Sequence, residues 1–337
     1  MNTSNSVLIL GARGRFGSAA VRAFAQAGWR VHAQARPGAS GPALNGVQWV
    51  YADPADTAAL AHAARGASVV VQALSPAYTH KAWRAEVPRL TRAAIAISRE
   101  LGATMLLPAS VYNFGAGMPA QLREDTPQQP TTFKGRMRMA SEAMIREATQ
   151  DGRMKAAVIR GGDFFGSGTG SWLDEVMVKN LRKGKLTYPG SYGVPTAWAY
   201  LPDMARGLVR VAEARERLEA FETLHFGGYS LTGQDWANVL TDIAWEEGWL
   251  PLNGQLRKAS LSWPMMRAVG LAVPTVAALC EMRYLWATPH ALVNTRMQAL
   301  IGEEPHTPFD QAVRASLAGL GLLNRFHLSS TPALHSA

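Results

Sequence analysis

Val7-Leu8-Ile9-Leu10 runs straight into Gly11-Ala12-Arg13-Gly14-Arg15-Phe16-Gly17, three glycines spaced three apart, and a helical pattern begins at once. No other stretch restricts the fold as strongly. An apolar run of this length, closed by glycine, reads as an inner strand. The glycines let the backbone turn sharply and come close to a ligand. The first N–H groups of the following helix lack intrahelical partners and face negative charge. Phe16, Ala19, Ala20, Ala23, Phe24 and Ala27 form one stripe of that helix, and Gly28 ends it. Strand, bare turn and helix in this order hold the diphosphate of a dinucleotide. The competing reading is an ordinary strand–turn–helix with incidental glycines, and the patterned helix argues against it.

The rest of the first half alternates in the same way. Strands are expected at Arg30–Ala35, Val47–Tyr51, Ser68–Ala73, Ala103–Leu107 and Lys155–Arg160. Between them fall helices at Ala55–Arg65, closed by Gly66, and at Gly135–Thr149. A long helix carries Trp83, Val87, Leu90, Ala94, Ile97 and Leu101, with Pro88 expected to kink it. Such alternation implies right-handed crossovers and an α/β, doubly wound parallel Rossmann sheet, with ligands at the carboxyl ends of its strands. Beyond Gly166 the pattern loosens into a helix at Trp172–Leu181, a Gly-, Pro- and Tyr-rich stretch to Pro195, a helix at Leu201–Ala214 and a strand at Thr223–Phe226. Helices without sheet units, rich in Trp and Met, are expected after that. The division expected is residues 1–166 as the NAD(P)-binding Rossmann domain, with 197–230 returning to it. Residues 167–196 and 231–328 form a smaller, mostly helical substrate-binding part, and 329–337 a disordered tail.

Bulk properties close off several classes. With 337 residues and 47% hydrophobic content the chain can bury a sizeable core. Cys280 is alone, which excludes an internal disulfide, and no basic segment precedes the first apolar run, so a cytoplasmic location is expected. The net charge of +9 invites nucleic acid, but the cations are scattered, with short groups only at Lys134–Arg138 and Lys179–Lys185. Trp263–Cys280 is apolar but is broken by Pro264, Arg267 and Pro274. It is also shorter than the ~20 residues of a spanning helix. A buried helix pair or a cover over a pocket is expected there, without stable membrane insertion. The histidines show no metal-ligand spacing and no Gly-x-Ser-x-Gly is present, so neither a metal site nor a serine hydrolase is expected. Trp172, Trp198, Trp236, Trp263 and Trp286 read as core. The partner expected is a small-molecule substrate, and a homodimer stays open.

The end of the second strand decides the cofactor. An acid there would bind the adenosine ribose hydroxyls and repel a 2′-phosphate, yet Arg30 to Gly46 contains no Asp or Glu. Arg36 stands at that place and Arg13 lies in the glycine turn, so NADP is expected over NAD. The plainer reading makes Arg36 an exposed turn residue before Pro37-Gly38.

The glycine turn continues in order with Leu107-Pro108-Ala109-Ser110-Val111-Tyr112-Asn113-Phe114-Gly115, Glu124-Asp125-Thr126-Pro127, Val158-Ile159-Arg160-Gly161-Gly162-Asp163-Phe164-Phe165-Gly166 and Tyr200-Leu201-Pro202-Asp203-Met204-Ala205. To about Gly228 this resembles the extended and atypical, epimerase/dehydratase-like branch of the short-chain dehydrogenase/reductase superfamily. The resemblance implies that Gly11, Arg13, Gly14, Arg15, Phe16 and Gly17 hold the cofactor with Arg36. It implies that Asp53 bonds the adenine and that Ala73, Leu74 and Ser75 line the nicotinamide-side ribose. Ser110 falls where such enzymes polarise the substrate carbonyl. The departure lies at their Tyr-x-x-x-Lys pair, which a Glu follows four residues beyond the Lys. Counting back from Glu142 puts Arg138 at the Lys place and Lys134 at the Tyr place. Arg138 can hold ribose hydroxyls but cannot release its proton. Three readings follow: Lys134 is the proton donor; Tyr112, or Tyr192 or Tyr200, takes that role; or the protein binds nucleotide without turnover. The plain alternative is two solvated helix cations. The function expected is an NADP(H)-dependent oxidoreductase moving hydride to or from a carbonyl or activated alkene of a fairly apolar small molecule. The alternatives are a non-catalytic, NADP-binding redox-sensing regulator and a sugar-nucleotide epimerase or dehydratase.

Overall fold

Apolar runs become inner strands wherever helices cover both faces, and the first half of the chain does this repeatedly. The computed structural model describes residues 5–251 and 253–323. Its elements begin with β1 (Ser6–Leu10), α1 (Arg15–Gln26), β2 (Arg30–Ala35), β3 (Val47–Tyr51), α2 (Thr57–Ala63), β4 (Val69–Gln72), α3 (His80–Leu101) and β5 (Thr104–Ser110). They continue with β6 (Gln121–Leu122), α4 (Phe133–Ala148), β7 (Ala156–Gly161), β8 (Asp163–Phe165), β9 (Lys185–Tyr188), β10 (Thr196–Tyr200), α5 (Leu201–Glu213) and β11 (Phe221–His225). Last come β12 (Tyr229–Leu231), α6 (Gly233–Glu246), β13 (Arg257–Ser260), α7 (Trp263–Gly270), α8 (Pro274–Cys280), β14 (Ala291–Leu292), α9 (Thr295–Ile301) and α10 (Phe309–Gly319).

Seven parallel strands form the main sheet in the order β11-β7-β5-β4-β1-β2-β3. The period of two sorts their side chains. Val7, Ile9, Val31 and Val71 pack with Phe16, Ala20 and Phe24 of α1 and Leu208 of α5. Leu8, Leu10, Val70 and Met105 pack on the other face with Leu60, Ala94, Ile97 and Ile145. The doubly wound sheet expected from the sequence is therefore present. Its strand order reverses between β1 and β4, which opens a crevice at their carboxyl ends. After β10, the segment α5–β11 joins the main sheet: α5 packs on α1 and β11 forms the edge beside β7.

Several boundaries shift for local reasons. The second helix starts at Thr57 rather than Ala55 because the Asp56 side chain caps it, accepting from Ala59 N at 3.2 Å. β5 runs three residues past Leu107, pairing with β7 as far as Ser110 opposite Gly161. Pro88 lies inside α3, which stays one helix from His80 to Leu101. The helix expected over Trp172–Leu181 is instead a π-type turn at Leu173–Met177 and a 3₁₀ turn at Leu181–Lys183, stopped by Gly184 at φ +65°.

The later chain also corrects two expectations. It is not free of sheet: β10 pairs with β8 and β12, β9 with β13, and β6 with β14. These strands have two to five residues, too few for a period to show in the sequence. Around them Trp198, Trp236 and Trp286 pack with Phe165 and Tyr188, so they are core as expected. Trp263–Cys280 does form a helix pair, α7 and α8, but it is largely exposed, with Met265 at 61% and Leu271 at 92%. Helices of eight and seven residues, each opened by proline, cover only one side of each other. No helix among the described residues is long and apolar enough to cross a membrane. The expected tail, 329–337, lies outside the described residues.

Candidate active site

The glycine turn sits at the crevice, and each glycine answers a different steric demand. Gly11 adopts φ +75°, and a Cβ there would meet the Ala73 carbonyl and Leu74 N at 3.0 Å. At Gly17 a Cβ would fall 2.1 Å from the Gly11 carbonyl oxygen, so the helix could not close on the turn. Gly14 caps α1 without a side chain, leaving the first-turn N–H groups open to an anion. Gln34, buried in β2, completes the turn and was not singled out in the sequence. Gly11 N donates to its Oε1 at 2.8 Å, its Nε2 donates to the Ala52 carbonyl at 2.8 Å, and Ala12 N donates to its carbonyl at 2.9 Å.

Those bonds bring Arg13 and Arg36 to neighbouring chain ends. Both are exposed, and neither side chain is hydrogen-bonded or ion-paired to another described residue. Asp53 follows β3; its carboxylate accepts from Ala55 N at 2.8 Å and lies 3.5 Å from Arg89. Ala73, Leu74 and Ser75 leave β4 beside Gly11, with Leu74 N donating to Gln72 Oε1 at 2.7 Å. Phe16 is buried against Phe164. The Arg15 side chain turns back onto the protein. Its guanidinium donates to the Phe164, Gly166 and Gly170 carbonyls at 3.1, 3.4 and 3.5 Å, strapping the loop after β8 onto α1.

The second cluster forms where β5, α3, α4 and the late chain meet. Ser110 ends β5 with a buried Oγ that has no hydrogen-bond partner among the described residues. One helix turn beyond Lys134, Arg138 lays its guanidinium 4.9 Å over the Trp83 ring, and its buried Nε also lacks a partner. Burial opposes that charge, and Tyr112, Glu142 and Tyr78 support it. Tyr78 donates to the Tyr112 hydroxyl at 3.4 Å, and Tyr284 donates to the Tyr112 carbonyl at 3.3 Å. Burial pushes the Tyr112 phenol up to about 12. Tyr192 and Tyr200 are not brought here: the first donates to the Ala259 carbonyl, and the second packs on Phe165.

Lys134 is fully buried, which removes the solvated-cation reading for it. Its ammonium donates to Glu281 Oε1 and the Ala278 carbonyl, both at 3.0 Å, and stands 4.3 Å over the Tyr78 ring. Burial lowers its pKa, and the hydrogen bond to Glu281 opposes this. Glu281 also accepts from Phe133 N at 3.1 Å and Lys134 N at 3.4 Å at the start of α4, and lies 3.2 Å from His80. Burial works against its carboxylate, yet Lys134, His80 and the Phe133 N–H hold it below its usual range. Lys134 thus ties the start of α4 to Ala278 in α8 and to Glu281 just after it. Glu142, the marker used to place the pair, sits in a buried network with Arg160 and Gln128.

The two unpartnered atoms test whether a dinucleotide fits. An Arg138 donor and a Ser110 hydroxyl left unsatisfied beside the ends of β4 and β5 match the ribose hydroxyls and reacting oxygen at the nicotinamide side of such a ligand. The open N–H groups of α1 match its diphosphate.

A family model described as NAD dependent epimerase/dehydratase family matches residues 7–227. Curated proteins give no match. Among solved structures, UDP-glucose 4-epimerase from Brucella ovis in complex with NAD is 16% identical with a TM-score of 0.71, over 95% of this chain and 99% of that one. The Bordetella bronchiseptica enzyme WbmH in complex with NAD+ is 16% identical with a TM-score of 0.70, over 95% and 100%. DesIV, a dTDP-glucose 4,6-dehydratase from Streptomyces venezuelae with NAD and TYD bound, is 16% identical with a TM-score of 0.67, over 93% and 96%. At such identities the structures speak for the fold alone. The family match spans the sheet, the glycine turn and the end of β5, and the chain therefore belongs to the NAD-dependent epimerase/dehydratase family.

Proposed function

We propose that the protein is an NADP(H)-dependent oxidoreductase acting on a carbonyl or activated alkene of a fairly apolar small molecule. The observation that carries the choice of NADP is the exposed, unpaired Arg13–Arg36 pair beside a turn with no acid from residue 30 to 46. The Brucella and Bordetella structures hold NAD, and it is Arg13 and Arg36 of this chain that favour the extra phosphate. When bound, the dinucleotide supplies or takes up hydride. Gly11, Gly14 and Gly17 with the N–H groups of Arg15 and Phe16 hold its diphosphate, Asp53 its adenine, and Ala73, Leu74 and Ser75 line the far ribose. Arg138 holds ribose hydroxyls and supplies fixed positive charge, and Ser110 Oγ donates to the reacting oxygen. Lys134 anchors the cover, and the Tyr78, Tyr112 and Tyr284 rings give the cleft its apolar walls.

Titration calorimetry with NADPH, NADP and NAD tests the cofactor. Arg36→Ala is expected to weaken the phosphorylated forms about tenfold, ~1.4 kcal/mol, and leave NAD unchanged. Tighter NAD binding by the wild type would overturn the choice. A sugar-nucleotide epimerase or dehydratase is the second reading, favoured by the UDP- and dTDP-hexose enzymes that share the fold. Lys134 in place of the phenol weighs against it. NADPH consumption on aldehydes, ketones and enones supports the first reading. Conversion of a UDP- or dTDP-hexose without net NADPH loss supports the second. Nucleotide binding with neither result supports the non-catalytic regulator.

A further inference from the structure

Asp163 opens β8, two residues beyond the end of β7, at the carboxyl edge of the sheet. Gly161, opposite Ser110 in the β5–β7 register, lies two residues before Asp163, so both residues stand at the same carboxyl edge. The side chain is partly exposed, and it makes no hydrogen bond or ion pair with any other described residue. A partly buried carboxylate without a partner is free to exchange a proton with a ligand at the strand ends, where such groups concentrate. The charged and titratable groups that face it come from five elements. They are Arg15 at the start of α1, Tyr78 before α3, Tyr112 after β5, Tyr188 in β9 and Tyr284 after α8. Burial raises all four phenols, Tyr112 and Tyr188 to about 12, so they stay protonated at neutral pH. Burial also lifts the Asp163 carboxyl, to about 7, with Arg15 opposing. Meanwhile Lys134, at the place of the family phenol, is held by Glu281 and Ala278.

We propose that Asp163 is the acid–base group of this cleft, giving its proton to the substrate oxygen in reduction and taking it back from the alcohol in oxidation. The proposal rests on the oxidoreductase reading above. In reduction, hydride from the reduced dinucleotide adds to the carbonyl carbon and the C=O π pair moves to oxygen. The new O–H bond forms as the O–H bond of the Asp163 carboxyl breaks. The carboxylate left behind is reprotonated by water on the open side of the cleft, and Ser110 Oγ donates a hydrogen bond to the same oxygen.

Carbon-13 NMR of aspartate-labelled protein, with Asp163→Asn for assignment, reads the carboxyl without nucleotide or substrate. Titration near 7 is expected, and titration near the ordinary ~4 overturns the proposal. Thermal melting gives a second reading independent of turnover. A carboxyl that binds its proton more tightly folded than unfolded lowers stability as pH rises from about 4 to about 7. Asp163→Asn should therefore melt above the wild type at pH 8 and level with it at pH 4; equal melting at both overturns the proposal. On a carbonyl that the wild type reduces, Asp163→Asn should keep NADPH affinity and lose about a hundredfold or more in kcat. It should also lose the pH step near 7, and Asp163→Glu should restore part of both. An unchanged pH profile in the Asn variant sinks the Asp163 role alone. A wild type that consumes no NADPH on the whole panel sinks the oxidoreductase reading, and this role with it.

Discussion

Gly17 shows how one missing Cβ fixes both the turn and its ligand. A methyl there would lie 2.1 Å from the Gly11 carbonyl oxygen and 2.9 Å from Ala12 Cα, both backbone, so neither can swing aside. Gly17→Ala should push α1 off the turn. We expect a stability loss of about 1–3 kcal/mol, as for overpacked sites, and loss of detectable nucleotide binding by calorimetry. At Gly14 a Cβ would lie 3.2 Å from the Gly11 carbonyl oxygen, against 2.1 Å at Gly17, so Gly14→Ala should cost much less stability than Gly17→Ala. Equal melting temperatures for the two variants would refute this assignment of steric demand. Gln34 carries the same turn from the other side, and nothing in the sequence marks it. It is one of three polar residues in β2, with Arg30 and His32, so its type alone does not mark it. The partners, Gly11 N and the Ala52 carbonyl, are 23 and 18 residues away, and only the sheet brings them together.

The start of α4 answers to the late chain as much as to its own sequence. Thr132 caps it, accepting from Gly135 N at 3.1 Å, while Glu281 takes the Phe133 and Lys134 N–H groups and the Lys134 ammonium. A carboxylate is well placed there, since it meets a helix N-terminus and a cation together. Removing one partner of a buried pair leaves the other uncompensated, at about 3–5 kcal/mol when the pair is fully enclosed. Glu281 keeps some exposure, so Glu281→Gln should cost less, about 1–2 kcal/mol, and Lys134→Met should lose less when Gln already stands at 281. A double-mutant cycle on denaturant midpoints checks this, and strict additivity would remove the anchor role. The pH dependence has a definite sign. Glu281 is held below its usual range when folded, so its contribution is present at neutral pH and fades as pH falls through that lowered value. The difference in melting temperature between wild type and Glu281→Gln should therefore narrow in acid. Lys134 was legible as an oddity of spacing, but its role was not, because its partner lies 147 residues further on.

Across the molecule, legibility follows burial. Strands covered on both faces, such as β1 and β4, gave nearly continuous apolar runs, and glycines such as Gly28 and Gly66 marked where helices stop. The short strands β6, β8, β9 and β12 to β14 gave no such signal, because each pairs with few neighbours and takes its place from the aromatic core around Trp198 and Trp236. The cleft lies between these two regimes: its floor, Gly11 to Gly17 and Ser110, was readable, while Asp163, Glu281 and Tyr284 were supplied by topology. Nucleotide binding should then report on the whole assembly. A ligand that binds only the folded state at a hundred times its Kd adds about 2.7 kcal/mol, because the turn that holds it exists only when β1, β2 and β4 are paired. NADPH at that excess should raise the melting temperature of the wild type, and Arg36→Ala at the same concentration should lose part of the rise. NAD should stabilise both forms to the same smaller extent, because it lacks the phosphate that Arg36 is there to meet. A rise with NADPH that survives Arg36→Ala intact would move the phosphate away from the end of β2. The exposed Arg13, one step beyond the Ala12–Gln34 bond, would then be the guanidinium to remove next.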